Sequence, residues 1–295
     1  MSVRIAAVAT AYHPDERLAA VVESALETCA FVVVVDNTPG TEPTVADKIS
    51  DERVKVLRSG ANVGLAAALN AGVRELPDDA SAVLLLDQDS VLPGDVVTAL
   101  AGYLDDPTIG IAAPTPWDAT HDSSYDTLAA LRSDVADRTD VITSGMLIRR
   151  SALERVGGFR EDFFVDFVDI DFCLRLRRTG LRIVQDQRLK LPHSLGDRRV
   201  HGRGPLRIQI VHYPAWRLYW IARGASTLLR ENLRRDPRWA LKAVLFLASW
   251  TWRSAAFEDA RARHVAALAR GMRDGLLGRV SLRYLPEGAT YRAVR

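Results

Sequence analysis

Two aspartates close an apolar run in the segment LLLDQDS, residues 84–90. Asp87 and Asp89 stand one residue apart after three leucines, a pattern typical of a buried strand that ends in carboxylates. Ionised carboxylates resist burial unless they have partners. They are also the oxygen ligands that Mg²⁺ or Mn²⁺ prefers, usually together with substrate phosphates. The motif therefore indicates a metal and phosphate site, with a solvated turn and a phosphatase nucleophile as alternatives for so short a pattern.

The segments before this motif alternate between strand and helix patterns. Residues 3–10, 30–37, 53–59 and 81–89 have the composition of strands, and residues 15–27 and 62–76 have helical spacing. Strands separated by helices predict a parallel sheet with right-handed crossovers. Such sheets bind ligands at the carboxyl ends of their strands. The polar groups at these ends are Thr10 to Tyr12, Asp36, Arg58 to Asn62, and Asp87 to Asp89.

The composition fits a large globular chain with an uneven charge distribution. Among 295 residues, 48% are hydrophobic and 26% are charged, which is enough to bury a full core. Residues 1–195 carry 19 basic against 30 acidic side chains, and residues 196–295 carry 20 against 7. The two cysteines, Cys29 and Cys173, have no ligand spacing and fit a reducing cytoplasm. No apolar run approaches the roughly 20 residues of a membrane span, so we expect no integral membrane protein.

The same aspartates allow a second enzymatic interpretation. LLLDQDSV also resembles the haloacid-dehalogenase signature, in which Asp87 would attack phosphorus and Asp89 would serve as acid and base. That signature usually closes the first strand of its domain, whereas two strand-helix units and a further strand precede it here. A downstream lysine and paired acids in that family's order are also missing from the sequence. The position of the motif therefore disfavours a phosphatase.

A second group of acids lies in the segment GGFREDFFVDFVDIDFCLRLRRTG, residues 157–180. Asp166, Asp169 and Asp171 stand at the start of a predicted helix, where acids complement the helix dipole. For Asp171, this explanation and a functional role account for the residue equally well. It is weaker for Asp169, because three phenylalanines nearby provide apolar surface that can increase the basicity of a carboxylate.

Six segments, in this order along the chain, resemble the inverting family-2 glycosyltransferases of the GT-A fold. They are VATAYHPDE, VVVVDN, GANVGLAAALNAG, LLLDQDS, TSGMLIRRSALERVGGF and FFVDFVDIDFCLRLRRTGLRIVQDQRLKLPHSLGD. The likeness covers about residues 3–225, and DQDS with DFVDIDFCLR is most similar to bacterial rhamnosyltransferases. It implies an α/β catalytic domain that moves L-rhamnose from dTDP-L-rhamnose, or another sugar from a UDP donor, to a hydroxyl of a lipid-linked or polysaccharide acceptor in cell-envelope glycan synthesis. The alternative outside enzymes is a non-catalytic sugar-nucleotide binder.

The resemblance also implies roles for individual residues. The donor nucleotide would contact the strand ends, with Asp36 accepting the imide N–H of a pyrimidine and Asp87 facing the ribose. The full set of donor contacts is Thr10, Ala11, Tyr12, Asp36, Asn62, Gly64, Asp87 and Gln88. Asp89 and His193 would hold Mg²⁺ or Mn²⁺ against the donor diphosphate.

On the acceptor side, the resemblance implies Asp169 as the base that deprotonates the attacking hydroxyl. Ser144, Gly145 and Asp166 would contact the sugar or the acceptor. Many relatives carry Glu-Asp where this chain has Val168 and Asp169. Asp166 therefore stays open as an alternative to Asp169.

The chain after residue 210 differs in character, with tryptophans among many arginines. We predict a GT-A domain over 1–210, divided into a nucleotide half at about 1–115 and an acceptor half at about 116–210, and a helical extension over 211–295. The extension has two predicted helices, 212–232 and 236–279. The resemblance implies that Arg217, Tyr219 and Arg223 lie near the diphosphate or the acceptor.

Three interpretations of this basic extension are open. Aromatic and basic residues on an amphipathic helix suit an anionic membrane surface, which would give a peripheral position on the inner face of the cell membrane. Packing on the catalytic domain or on a second copy in a homo-oligomer explains the same residues equally well. Nucleic acid is disfavoured, because the sequence lacks a helix-turn-helix, RNP or zinc pattern.

Overall fold

The chain folds into two compact units. The computed structural model describes residues 3–118, 123–124, 133–192, 198–201 and 208–291. The first unit consists of the described residues within 1–162, 168–194 and 288–295, and the second of those within 163–167 and 195–287. The predicted domain boundary at residue 210 stays a prediction.

The first unit is built on one large sheet with helices. Its strands are β1 (Ile5–Ala11), β2 (Phe31–Asp36), β3 (Val54–Arg58), β4 (Ala82–Asp87), β5 (Ile109–Asp118), β6 (Ser123–Ser124), β7 (Val135–Asp137), β8 (Leu147–Arg149) and β9 (Arg182–Pro192). Its helices are α1 (Arg17–Leu26), α2 (Leu65–Arg74), α3 (Gly94–Tyr103), α4 (Arg150–Val156) and α5 (Val168–Arg178), with a 3-10 turn at Val45–Lys48.

The strand order is β3-β2-β1-β4-β8-β5-β9-β7, with β6 paired to β5. Following the pairings, β1 to β5 and β9 share one direction, whereas β6, β7 and β8 run the opposite way. The predicted α/β fold with a mostly parallel sheet is confirmed.

Apolar side chains on both faces of the sheet explain this arrangement. The central strands β1, β2 and β4 are runs of small and branched residues that are almost fully buried. Ala7 and Ala9 on one face join a core cluster with Leu18 and Val21 of α1. On the other face α2 approaches so closely that a Cβ built on Gly72 would lie 2.4 Å from a methyl carbon of Val8. In β1 and β4 the partly exposed positions are the polar residues Thr10 and Asp87 near the strand ends.

The second unit is mainly helical. It contains the antiparallel hairpin of β10 (Arg198–His201) and β11 (Ile208–Val211), the helices α6 (Ala215–Asn232), α7 (Pro237–Phe257) and α8 (Arg261–Leu277), and a 3-10 turn at Leu282–Tyr284. The predicted C-terminal helices are thus present. Among the residues that the structure describes, no helix combines the length and apolar content needed to cross a bilayer.

The prediction of one continuous helix over 236–279 is wrong. The chain leaves the helix at Glu258, whose backbone is extended (φ −85°, ψ 143°), and a new helix begins at Arg261. The buried Glu258 carboxylate lies 3.0 Å from Nδ1 of His212 and 3.6 Å from Nδ1 of His264. A buried carboxylate needs such partners, and the break in the helix lets Glu258 meet one histidine far back in the chain and one six residues ahead.

Helices α6 and α8 pack closely through two glycines of α8. A Cβ built on Gly271 would lie 2.3 Å from the carbonyl oxygen of Tyr219, and one on Gly275 would lie 2.4 Å from that of Arg223. Both clashes are with backbone, which cannot swing away. The spacing of four residues puts both glycines on the face of α8 that meets α6.

We predict that Gly271→Ala destabilises the protein by about 1–3 kcal/mol, because the added methyl group forces the two helices apart. The matched control is Gly102→Ala in α3, where a Cβ would meet nothing within 4 Å. That change should leave stability equal or raise it by up to about 1 kcal/mol. Calorimetric unfolding of both variants is the measurement. Equal unfolding temperatures for Gly271→Ala and the wild type would contradict the packing argument.

Candidate active site

The predicted donor-binding residues lie along one edge of the first unit's sheet. Thr10 stands opposite Asp87 across the pairing of β1 with β4. On the other side of β1, Ala11 stands opposite Asp36 of β2, which in turn pairs with Arg58 of β3. Because these four strands are parallel, their carboxyl ends meet at the same edge, as the sequence predicted.

Hydrogen bonds tie the loop after β1 to its neighbours on both sides. The backbone N–H of Tyr12 donates to Oε1 of Gln88 at 2.7 Å, and that of His13 donates to Oγ1 of Thr38 at 2.8 Å. His13 adopts the left-handed region (φ 48°), which is uncommon for a non-glycine residue and indicates local strain. The Tyr12 ring is 41% exposed and meets the His13 ring edge-on at 4.4 Å. This edge therefore presents an aromatic face against which a planar base can stack.

Asp36 is fully buried and binds protein groups through both carboxylate oxygens. Oδ1 accepts the N–H of Thr38 at 3.0 Å, and Oδ2 accepts the hydroxyl of Thr44 at 2.6 Å. The guanidinium of Arg58 lies 3.3 Å from Oδ2. In this arrangement Asp36 organises the loop after β2, and a contact with a base would require one of these partners to give way. The role in base recognition stays a prediction.

Asn62 forms the wall beside this loop with the help of a distant segment. Its Oδ1 accepts from Nδ2 of Asn37 at 2.9 Å and from the N–H of Gly64 at 3.0 Å. Its backbone pairs with residues 288–290, donating to the carbonyl of Gly288 and accepting from the N–H of Thr290 at 2.8 Å. The sequence analysis missed this segment, because no local pattern signals a pairing across more than 200 residues.

Asp89 ends the β4 motif in a partly exposed position. Its side chain is 23% exposed, and Oδ2 lies 3.6 Å from Nη1 of Arg17 in the first turn of α1. The guanidinium of Arg17 also donates three hydrogen bonds to the Asp15 carboxylate. The pKa of Arg17 is raised mainly by these bonds and, to a smaller extent, by the charge of Asp89. Sequence reasoning missed Arg17, because its approach to Asp89 is a contact between residues 72 positions apart.

The loop before β8 is fixed against the β4 motif. Ser144 donates its hydroxyl to Oγ of Ser90 at 2.5 Å, and both serines are buried. The N–H of Gly145 donates to the carbonyl of Leu85 at 2.8 Å. Gly145 has φ 77°, and a Cβ there would lie 2.7 Å from the ring of Pro114, so the position requires glycine. Ser144 and Gly145 thus adjoin the DQDS motif.

Asp169 lies in the first turn of α5, beside the segment that leads into this loop. Four residues later on the same helix, the thiol of Cys173 donates to the carbonyl of Val141 at 3.9 Å. The pKa of this thiol is raised, mainly by burial and also by the charges of Asp169 and Asp140. Asp169 thus lies one helical turn before Cys173, whose contact Val141 stands three residues before Ser144. It is half-buried, and its Oδ1 accepts the N–H of Ile170.

Asp171 has a structural role instead. Its carboxylate is buried, accepts from Nε of Arg175 at 2.7 Å and lies 3.2 Å from Nη1 of Arg160. Two arginines compensate its charge, so the fold accounts for this acid without a functional role.

Comparison with known protein families identifies the family of this chain. Residues 7–179, more than half of the chain, match the family model described as glycosyl transferase family 2. The chain belongs to glycosyltransferase family 2. The predicted family is confirmed and the chain is a glycosyltransferase, so neither the phosphatase nor the non-catalytic binder is supported.

Named relatives of this glycosyltransferase point the same way. It is 32% identical to the dTDP-rhamnosyl transferase RfbF of Shigella flexneri over 79% of this chain and 82% of the relative. It is 26% identical to an N-acetylglucosaminyl-diphospho-decaprenol L-rhamnosyltransferase of Mycobacterium tuberculosis over 80% and 96%. The crystal structure of GalNAc-T7 with UDP, GalNAc and Mn²⁺ shares the fold (TM-score 0.55, 11% identity), covering 87% of this chain and 58% of the other.

The residues predicted for the acceptor side fall in two places. Asp166 belongs to the second unit of the glycosyltransferase and forms a double hydrogen bond with Arg217, at 3.0 and 2.9 Å. The Arg217 guanidinium also lies 4.3 Å from the centre of the Tyr213 ring. Burial alone lowers the pKa of Arg217, but the hydrogen bond and charge of Asp166 outweigh it, so the pKa is raised. Asp166 and Phe167 both adopt left-handed backbone (φ 55° and 62°), so this turn is strained.

Tyr219 and Arg223 are buried in the second unit of the glycosyltransferase. The Tyr219 hydroxyl donates to Oδ2 of Asp274 at 3.1 Å and accepts the N–H of Ser281 at 2.7 Å. Arg223 donates through Nε to the carbonyl of Arg279 at 2.8 Å. Helix packing explains both side chains without a ligand, and their contact with diphosphate or acceptor stays a prediction.

Among the predicted metal ligands, Asp89 is the one that the structure describes. His193, the second predicted ligand, lies outside the described residues. Within the described ranges, no three His, Cys, Asp or Glu side chains are grouped as a metal site. A partly exposed carboxylate at the end of β4 nevertheless suits an ion that takes one or two protein carboxylates and completes its shell with substrate phosphates. The donor set of this glycosyltransferase is thus compatible with Mg²⁺ or Mn²⁺.

Strand β9 ends one residue before His193, and Asp186 anchors it. Buried Asp186 accepts the Tyr103 hydroxyl at 2.6 Å and Nη2 of Arg188 at 2.8 Å. Burial raises the pKa of Asp186, but the hydrogen bonds from Arg188 and Tyr103 outweigh burial, and the pKa is lowered from its ordinary value of 3.8.

We predict a pH-dependent stability contribution from Asp186. Because the folded-state pKa is depressed, the contribution is fully present above pH 3.8 and is lost as the pH falls through the folded-state value. The difference in unfolding free energy between wild type and Asp186→Asn should therefore be constant near neutral pH and shrink in acid. Urea unfolding at several pH values measures it, with the exposed Asp105→Asn as control. A difference that does not change with pH would count against the argument.

Proposed function

We propose that this chain transfers L-rhamnose from dTDP-L-rhamnose, with inversion, to a hydroxyl of a lipid-linked or polysaccharide acceptor. The observation that carries the proposal is the 32% identity to a dTDP-rhamnosyl transferase across most of both chains. The second relative, an L-rhamnosyltransferase named for a diphospho-decaprenol compound, supports both the sugar and a lipid-linked acceptor.

The donor nucleotide is proposed to bind at the strand ends of the first unit. Tyr12 supplies an exposed aromatic face, and Gln88 is held beside it by the backbone of Tyr12. Asn62 and Gly64 form the adjoining wall. This geometry favours a planar base, with the ribose facing Asp87 and the diphosphate directed toward a cation on Asp89.

Asp89 is the proposed protein ligand for Mg²⁺ or Mn²⁺, with His193 as the second. When bound, the cation would supply positive charge to offset the charge that grows on the leaving diphosphate. Arg17 lies close enough to Asp89 to contribute positive charge at the same place.

Asp169 is the proposed base. The attacking hydroxyl oxygen forms a bond to the anomeric carbon as its proton passes to a carboxylate oxygen and the bond to the nucleoside diphosphate breaks. A single displacement of this kind inverts the anomeric centre. Both oxygens of Asp166 accept from Arg217, which disfavours Asp166 as the base. Asp169 lies one helical turn before Cys173, whose thiol meets the carbonyl of Val141 three residues before Ser144.

We predict that Asp169→Asn binds the donor normally but transfers sugar about 10²- to 10⁴-fold more slowly, the range expected for loss of a general base. Donor binding is measured by thermal shift with dTDP-L-rhamnose and Mn²⁺, and transfer by release of dTDP. Asp166→Asn is the matched competitor and should lose less transfer. Retained turnover in Asp169→Asn would remove it as the base.

Asp89→Ala should lose the metal-dependent part of donor binding, because the cation would have no carboxylate at the end of β4. The control is Asp79→Ala, an exposed aspartate of the same unit that pairs with Arg4. A thermal-shift panel of dTDP- and UDP-sugars, each with and without Mn²⁺, tests metal dependence and donor identity together. A stronger shift with a UDP-sugar would replace the proposed donor while leaving the transferase chemistry intact.

A further inference from the structure

Helix α7 has two apolar faces, and only one of them is covered. The buried side is formed by Ala240, Ala243, Leu247 and Ser254. On the opposite side lie large side chains that the second unit leaves exposed. This surface, which we name the α7 stripe, consists of Leu241 (60% exposed), Val244 (47%), Leu245 (60%), Ala248 and Trp252 (55%).

The spacing shows that these residues form one continuous surface. Leu241, Leu245, Ala248 and Trp252 follow one another at intervals of four, three and four residues, and Val244 lies three residues after Leu241, so all five lie on one side of the helix. Isolated exposed leucines are ordinary on protein surfaces, but a contiguous apolar stripe indicates a binding surface. Trp252 adds an aromatic group of the kind enriched at the boundary between lipid and water.

The charged side chains of α7 itself are all basic. The 21 residues of α7 include Arg238, Lys242 and Arg253 but no aspartate or glutamate. Arg238 and Lys242 are exposed and lie within one turn of Leu241 and Leu245. Two more exposed arginines, Arg234 and Arg235, precede the helix. The apolar stripe thus has a basic border, particularly near its N-terminal end.

This charge pattern selects among the possible occupants. Two copies of α7 facing each other would bring cations together, with no acid from either helix to pair with them. A bilayer containing anionic lipid accepts both features, because the stripe enters the acyl boundary while the basic side chains meet the headgroups.

We propose that the α7 stripe docks this chain on an anionic lipid surface. The purpose of this docking rests on the proposed function, because an enzyme bound to the membrane would reach a lipid-linked acceptor in the plane of the bilayer. The surface itself is argued from the exposed face of α7 alone.

The test is co-sedimentation of the full chain with vesicles of phosphatidylcholine mixed with phosphatidylglycerol, and with vesicles of phosphatidylcholine alone. The wild type should bind the mixed vesicles, more weakly as salt is raised, and bind the neutral vesicles less. The double variant Leu241→Ser/Leu245→Ser should lower the partition coefficient about tenfold or more, since two leucines lose their burial. Circular dichroism checks that the variant is folded.

A matched pair separates the stripe from general hydrophobicity. Val244→Ser should weaken vesicle binding, whereas Val91→Ser, at a 37% exposed valine of the first unit, should leave it unchanged. Equal binding by the double variant and the wild type would overturn the proposal. If the wild type forms a dimer in solution and the double variant is a monomer, the lipid-docking proposal is overturned, and the stripe binds a second copy of the chain.

Docking and catalysis fail in distinguishable ways. Release of dTDP from dTDP-L-rhamnose without vesicles should persist in the double variant, because the stripe is outside the proposed catalytic residues. If neither the wild type nor the variant releases dTDP although the wild type binds vesicles, the proposed donor is wrong and the docking surface is still supported.

Discussion

A carboxylate cannot be left unpaired inside a sheet whose two faces are both covered, and this constraint organises the first unit. Strands β1, β2 and β4 bury nearly every side chain they carry. Their ionisable groups are therefore confined to the last positions, where parallel pairing brings Thr10, Asp36 and Asp87 to one edge. The polar edge is thus a direct consequence of the apolar core.

The sequence predicted well whatever depends on local pattern. The strands of the first half were found within a few residues of their observed bounds, because continuous β-branched runs have few other stable environments. The helix predicted to begin at residue 236 likewise begins at Pro237, where Asp236 caps it by accepting the N–H of Trp239. The resemblance carried by six motifs added the family, which the comparisons confirmed.

Features that depend on distant partners could not be predicted. The break after α7 exists because buried Glu258 meets histidines 46 residues before it and 6 residues after it, and no helix propensity encodes the first of these contacts. The pairing of residues 288–290 with Asn62 is longer in range still. The family resemblance implied Asp36 as the acceptor for the base, but its partners Thr44 and Arg58 became visible only in the fold.

The acids of this chain can be sorted by what surrounds them. Asp171 and Asp186 are buried against arginines, and Asp166 is gripped by Arg217, so the charge of each is compensated locally. Asp89 keeps part of its surface exposed, and its nearest arginine stands at the longer distance of 3.6 Å. A carboxylate that is already compensated gains little from a cation, whereas one at an open strand end gains a partner. Sequence spacing treats these aspartates alike, and only the surroundings of each side chain separate those that hold the fold from those available for chemistry.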